Sequence, residues 1–212
     1  SDVCSSDLVA VDVPSGIESA TGQVPGACVK AQETVTFCRP KSGMLQYPAA
    51  EACGRIWVVD IGIPTIAVSR LDPQAWLITP EAVRACLPVR EPWTHKGDMG
   101  RVLAFAGSER YPGAACLCAA GSIRVGAGLV TAAVPRGVWR VIAGKLNEAM
   151  VFGAGGEKSA TFTSASVRDA SELIASANAL AIGPGISTAP GIDDFMVEIL
   201  HTARQPVVID AD

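Results

Sequence analysis

The sequence predicts an α/β protein in two parts: a parallel sheet with helices on both faces over residues 101–212, preceded by the end of a separate, smaller sheet over residues 9–63. Three observations carry this. From Arg101 onward, short apolar runs alternate with helix-length stretches, the rhythm of β-α units whose strands lie parallel and covered on both faces. Before residue 63 there are three β-branched runs separated by Gly/Pro-rich loops, too little cover for an independent core. Both chain ends fall on strands. Val9-Ala10-Val11-Asp12 starts with nothing ahead of it to build its sheet, and Val207-Val208-Ile209-Asp210-Ala211-Asp212 stops where the active-site loops of an open α/β sheet begin. The expectation is a window cut from a longer two-domain enzyme.

Residues 1–8 are polar, lack periodicity and do not lead into a strand, so they read as a non-native leader. Strands are predicted over 9–13, closed by Pro14 and Gly16, over 34–38, and over 55–61, with no helix of normal length between them. Ile63-Pro64 ends this part, and the domain boundary is placed between residues 65 and 78. Thr79-Pro80-Glu81 supplies an N-cap and a proline at the first helical position, opening a helix to about Leu87. The β-α series then runs strand 102–106, helix 113–125, strand 129–134, helix 136–145 and strand 149–152. A turn or loop over 153–158 follows, then helix 164–176, strand 179–182, helix 192–203 and strand 207–210.

Composition bounds the partners. The chain is 49% hydrophobic and 18% charged with a formal net charge of -4, which offers no positive field to a nucleic-acid backbone. Its 21 glycines suit tight βα turns and close helix–sheet packing. The seven cysteines are odd in number and form no C-x-x-C pair, so they read as small buried hydrophobes in a reducing, cytoplasmic setting. Cys116 and Cys118, two apart in a helix, diverge rather than share a metal. No apolar stretch is long enough to span a bilayer, and no membrane partner is expected.

Several residues are candidates for chemistry, each with a plainer reading beside it. Lys96, in His95-Lys96-Gly97, could meet a phosphate as a point charge or sit in a solvated turn. Ala106-Gly107-Ser108 and Pro112-Gly113-Ala114 make a strand end, loop and helix N-terminus suited to an anionic or carbonyl-bearing ligand. Gly126-Ala127-Gly128 follows a helix, not a strand, and reads as a helix-terminating turn. Gly183-Pro184-Gly185 keeps side chains away from the sheet's carboxyl edge, for a ligand or for a tight turn. Asp210 and Asp212 could bind a cation, orient water or contact a ribose hydroxyl, or could be solvated caps. Asp12, with Pro14-Ser15-Gly16 behind it, is either a proton-transfer carboxylate or a loop brace. Neither His95 nor His201 completes a serine–histidine–acid set.

Taken in order, the motifs resemble the bifunctional NAD(P)H-hydrate repair enzymes, in which an epimerase domain precedes an ADP-dependent dehydratase domain. Val11-Asp12-Val13-Pro14-Ser15-Gly16, Thr34-Val35-Thr36-Phe37, Arg39-Pro40-Lys41-Ser42-Gly43 and Val59-Asp60-Ile61-Gly62-Ile63-Pro64 resemble the last third of the epimerase. Leu77-Ile78-Thr79-Pro80-Glu81, His95-Lys96-Gly97, Ala106-Gly107-Ser108, Pro112-Gly113-Ala114-Ala115, Arg124-Val125-Gly126-Ala127-Gly128-Leu129-Val130-Thr131, Gly183-Pro184-Gly185 and the C-terminal run resemble the dehydratase.

The resemblance implies an incomplete ribokinase-like sheet in the dehydratase part, residues 79–212. It implies the end of a Rossmann-like three-layer epimerase domain in residues 9–66, with a linker over 67–78. It also implies the chemistry. The dehydratase uses ADP, with magnesium, to phosphorylate and eliminate the misplaced hydroxyl of (6S)-hydrated NADH or NADPH. The epimerase interconverts the R and S hydrates with a potassium ion close to Asp12 and Ser15. Asp12 falls on the epimerase acid/base, and Ala114 and Gly185 on contacts to the hydrated dinucleotide. Gly107, Ser108, Gly113, Gly183, Lys96 and Asp210 are the further binding candidates. The parent is expected to be a homo-oligomer.

The family also expects an Asn/Gly-rich dinucleotide loop and a Gly-Thr-Gly-Asp loop, and neither is found among these residues. The chain by itself is therefore expected to be inert in both reactions and poorly stable. The alternatives are a ribokinase-like small-molecule kinase and a non-catalytic nucleotide-binding or misfolded fragment.

Overall fold

A computed structural model describes residues 8–71, 73 and 75–210. The leader expected over residues 1–8 lies almost wholly outside the described residues, as does Asp212. The chain divides into two compact units, residues 1–87 and 88–212.

The first unit is built on a three-stranded parallel sheet of β1 (Val9–Val11), β2 (Glu33–Phe37) and β3 (Arg55–Val59), in the order β1-β2-β3. Central β2 buries Thr34 and Thr36, and the Thr34 hydroxyl donates to Cys53 O at 2.6 Å. That carbonyl ends α1 (Ala49–Cys53), whose Ala49, Ala52 and Cys53 form a small core with Met44. Such short elements escape hydrophobic periodicity, which needs more than one helical turn to register. The expected strand 9–13 stops at Val11 because Asp12 turns left-handed, with φ 66°. Beyond β3 the chain makes α2 (Thr65–Ser69) and α3 (Pro80–Cys86). At α3 the Thr79 side chain accepts from Ala82 N at 3.3 Å, the N-cap that the sequence specifies. The sequence reading sets α3 at the head of the second domain, yet it falls on the near side of the division at residue 87. None of its residues is buried, so no core claims it.

The second unit is a five-stranded parallel sheet: β4 (Arg101–Phe105), β5 (Leu129–Pro135), β6 (Met150–Ala154), β7 (Ala179–Ile182) and β8 (Val207–Ile209). Their order is β6-β5-β4-β7-β8, every pair parallel. The helices are α4 (Pro112–Val125), α5 (Trp139–Ala143), α6 (Ser164–Asp169), α7 (Ser171–Ser176) and α8 (Ile192–Thr202). Strand alternation sends Leu103, Phe105, Leu180 and Ile182 to one face, where they meet Phe195 and Ile199 of α8. Val130, Ala132 and Val134 go to the other, against Ala115 and Ala119 of α4 and Ile142 of α5. Alanines on both sides of that second layer let α4 lie close on the sheet.

Local differences from the sequence reading have physical causes. The helix expected over 164–176 is broken at Ala170, which is fully buried with φ -93° and ψ 9°. Next to the break, the Asp169 carboxylate accepts from Gly155 N at 2.9 Å. Strand β6 runs on through Gly153 and Ala154, expected as the start of a loop. Gly153 stays in the strand because Trp139 packs over it, and a Cβ there would lie 3.2 Å from that side chain. The helix expected over 136–145 shrinks to a 3-10 turn and α5. Of the described cysteines Cys53 is fully buried, while Cys86 is exposed and the rest are half-buried, so the expectation of buried cysteines holds only in part.

Candidate functional site

In the first unit the carboxyl ends of β1 and β2 bring Asp12 and Lys41 together. Oδ1 of Asp12 accepts from the backbone N–H of Phe37 at 3.1 Å, from the Thr36 hydroxyl at 3.2 Å and from the Lys41 ammonium. The bonded Lys41 ammonium is the main cause holding the Asp12 carboxyl below its ordinary range; partial burial opposes it, and the Phe37 N–H and Thr36 hydroxyl add to the lowering. Asp12 is thus an ionised carboxylate at neutral pH, the state a general base needs.

The loop behind Asp12 is fixed. Val29 N donates to Ser15 O at 2.9 Å, and a Cβ on Gly16 would lie 2.3 Å from Ala27 O. As to a potassium ion, this chain offers the exposed Ser15 hydroxyl and a carboxylate already bonded to an ammonium. Two such groups do not close an oxygen cage. Among the described residues no group of three or more His, Cys, Asp or Glu could hold a metal ion.

In the second unit the switch point of the sheet lies at β4. The chain leaves β4 toward β5 on one side, and later returns to its other side as β7. Ligands in open α/β sheets lie beyond the carboxyl ends of the strands at such a point. The loops after β4 and β7 touch there: Gly107 N donates to Pro184 O at 2.7 Å, and Gly183 N to Phe105 O at 3.2 Å. Asp210 N donates to Ile182 O at 2.8 Å, bringing the end of β8 to the same edge.

The glycines are there for want of room. Gly185 has φ 69°, and a Cβ on it would lie 2.5 Å from that of Ala114. Gly183 has φ 122°, and its Cβ would lie 2.6 Å from Asp210 O. Ser108 is buried, and its hydroxyl accepts from Tyr111 N at 3.3 Å as α4 begins. Gly113 is exposed, with open space where a Cβ would go.

A cavity of about 400 Å³ opens among Ala114, Cys118, Pro184, Gly185 and Asp210. Burial, and next the Asp210 carboxylate, push the Cys118 thiol up, so it stays protonated and is no nucleophile. A neighbouring cleft of about 520 Å³ is lined by Ser108, Arg110, Thr161 and Ser187.

The structure thus brings Gly107, Ser108, Ala114, Gly183, Gly185 and Asp210 to one edge, with Gly113 in the first turn of α4. It does not bring Lys96 to them. Lys96 precedes β4, its carbonyl is packed against Gly128 ahead of β5, and it lines a cavity with Arg101, Leu129 and Met150, the first residues of their strands. That is the amino edge. A lysine just before a strand cannot reach ligands gathered at the strand's far end, so Lys96 does not meet a phosphate held at that shared edge. Gly126 is the left-handed helix end expected of it, with φ 112°. Sequence reasoning gave no role to Lys41 or Thr36. The only available signal was that both stand in motifs recognised as wholes.

Comparison with known proteins bears on both units. Residues 102–212 match the family model described as NAD(P)H-hydrate dehydratase, and residues 2–43 match that of the YjeF-related protein N-terminus. The bifunctional NAD(P)H-hydrate repair enzyme of Moorella thermoacetica is 42% identical over 97% of this chain and 39% of its own length. That of Thermofilum pendens is 33% identical over 97% of this chain and 38% of its own. The chain therefore spans about two fifths of the length of these relatives.

Among solved structures, the ADP/ATP-dependent NAD(P)H-hydrate dehydratase of Bacillus subtilis, co-crystallized with ATP and Mg2+, aligns with a TM-score of 0.50 at 33% identity. It covers 63% of this chain and 44% of its own. A ribokinase-like superfamily protein of Enterococcus faecalis aligns with a TM-score of 0.51 over 65% of this chain and 47% of its own, and at 18% identity it speaks for the fold alone. The five-stranded parallel sheet is ribokinase-like. With more than half of its residues inside the dehydratase model, and with the glycine loops and Asp210 gathered at the switch point of such a sheet, the chain belongs to the NAD(P)H-hydrate dehydratase family.

Proposed function

We propose that the chain serves nicotinamide nucleotide repair. Residues 79–212 supply the first part of a site that dehydrates (6S)-NADH or NADPH hydrate with ADP, and residues 9–66 supply the acid/base end of a site that interconverts the R and S hydrates. Residues 67–78 link the two. The observation that carries this reading is the convergence of Ala114, Gly185 and Asp210 on one cavity at the switch point, with Gly107 bonded to Pro184 at its wall. In it, Ala114 and Gly185 let the dinucleotide approach the backbone, and the start of α4 presents N–H groups toward its phosphates. The nucleotide brings magnesium. In the first unit Asp12 exchanges the proton, and potassium binds close to Asp12 and Ser15 with oxygens from further residues. The working enzyme is a homo-oligomer in the cytoplasm. No helix among the described residues is long and apolar enough to cross a membrane.

The test joins this chain to the segments of the Moorella thermoacetica relative that flank the match, and follows NADH absorbance with (6S)-NADH hydrate and ADP. Recovery of NADH is expected. Phosphorylation of a vitamin precursor without NADH recovery would replace this reading with a small-molecule kinase. The chain's own share is read by NMR: (6S)-NADH hydrate should shift the amides of Gly107, Ala114 and Gly185 together, and shifts confined to other residues would remove the site from this edge.

A further inference from the structure

Lys41 stands in the segment Arg39-Pro40-Lys41-Ser42-Gly43, to which the proposed chemistry gives no task. Its ammonium bonds Oδ1 of Asp12, donates to Thr36 Oγ1 at 2.9 Å and donates to Phe37 O at 3.3 Å. Every acceptor of this ammonium is thus Asp12 itself or a residue that also bonds Asp12. Thr36 is fully buried on the central strand, so the platform under the pair is rigid.

The lysine backbone is held as firmly. Ser42 Oγ donates to Ala20 O at 2.7 Å, Gly43 N donates to Ser19 O at 2.8 Å, and a Cβ on Gly43 would lie 2.5 Å from Glu18 O. The segment after Lys41 is thereby stapled to the loop that follows Asp12. All three donors to Asp12 fall on Oδ1, and none of these bonds uses Oδ2. A charge-assisted bond of this kind fixes a carboxylate in direction as well as in charge. Catalytic groups need that from the residues around them, because a misplacement of about 1 Å can cost about 10²-fold in rate.

We propose that Lys41 is a positioning residue for epimerisation: by anchoring Oδ1 of Asp12 it presents Oδ2 as the atom that takes a proton from the hydrated nicotinamide and returns one to it. This rests on the reading of Asp12 as the epimerase acid/base. The proton lent to Oδ2 is given back within the same turnover, so nothing is consumed. Lys41 itself never touches the substrate.

The test measures R-to-S interconversion of NADH hydrate by the joined protein described above, as wild type, D12N, K41M and K41R. Expected are a loss of about 10–100-fold in kcat for K41M with KM within about threefold, and partial recovery in K41R, which keeps the charge. Full activity in K41M while D12N abolishes turnover would overturn the role of Lys41 and leave Asp12 in place. Equal loss in K41M and K41R, with KM raised or thermal unfolding lowered, would reduce Lys41 to a structural staple and also overturn it. If D12N matches wild type, the Asp12 reading fails and the proposal falls with it. A second measurement needs no turnover. In the 212-residue chain the Lys41 ammonium should give a slowly exchanging 1H–15N NMR signal that D12N removes, and its persistence in D12N would overturn the proposal.

Discussion

Gly113 in the first turn of α4 and Gly185 in the loop after β7 differ in tolerance for a side chain. Gly185→Ala combines φ 69° with an overlap on Ala114 and is expected to cost about 2–4 kcal/mol in urea unfolding. Gly113→Ala, with nothing within 4 Å of the added Cβ, should stay within about 0.5 kcal/mol of wild type. Equal effects would mean that the loop does not pack on α4 as described. Asp12 gives a pH-dependent case. Its folded-state carboxyl lies below the ordinary value, so its contribution is complete above the unfolded pKa and is lost as pH falls through the folded one. Its side chain is 40% exposed, and solvent screening limits the effect to less than about 1 kcal/mol. Asp12→Asn should therefore lower stability slightly at neutral pH and converge with wild type in acid, as read by unfolding across a pH series. At this scale the glycines and acids at strand ends could be found in the sequence, because glycine and strand punctuation are local. Lys41 could not be found that way. It meets Asp12 across 29 residues of chain, and only the parallel pairing of β1 with β2 brings the two together.

Elements were legible where they were long or stood between clear breaks. The five strands of the second unit and helices α4 and α8 follow the expected series, since a buried parallel strand is a short apolar run and α8 alternates apolar and polar faces. The broken helix at Ala170 and the extension of β6 were not legible, because both depend on distant partners: Gly155 for Asp169, and Trp139 for Gly153. An aromatic cluster joins α8 to the sheet. Phe195 of α8 stacks on Phe162 with ring centroids 4.9 Å apart and tilts against Phe105 of β4 at 5.5 Å, all three fully buried. Phe195→Ala should cost about 3–5 kcal/mol by leaving a cavity between α8 and the sheet. Chemical denaturation checks this, and a loss below about 1 kcal/mol would show that α8 is not seated there.

At the scale of the whole molecule, the chain spans about two fifths of its relatives, and its turnover in either reaction is expected to fall at least about 10²-fold below theirs, because neither the dinucleotide loop nor the Gly-Thr-Gly-Asp loop that would position the reactants is among these residues. Side-by-side assays with the Moorella thermoacetica enzyme check this, and comparable turnover would contradict it. Strands β1 and β8 lie at sheet edges in this structure and expose Val9, Val11, Val208 and Ile209. Such edges pair with other chains, so light scattering should report association that grows with concentration. A Val208→Lys substitution should reduce it. The strand order has one more consequence, and it concerns time. Central β4 leaves the ribosome well before β7, its partner on one side: the bond from Arg101 N to the Asn178 side chain spans 77 residues. At translation rates of about 5–20 residues per second, one edge of the middle strand waits about 4–15 s for its neighbour. During synthesis β4 can pair with β5 alone, with β6 adding beyond β5, so the side of β4 that β7 will cover spends that interval as an open flank, in the keeping of whatever shields nascent chains.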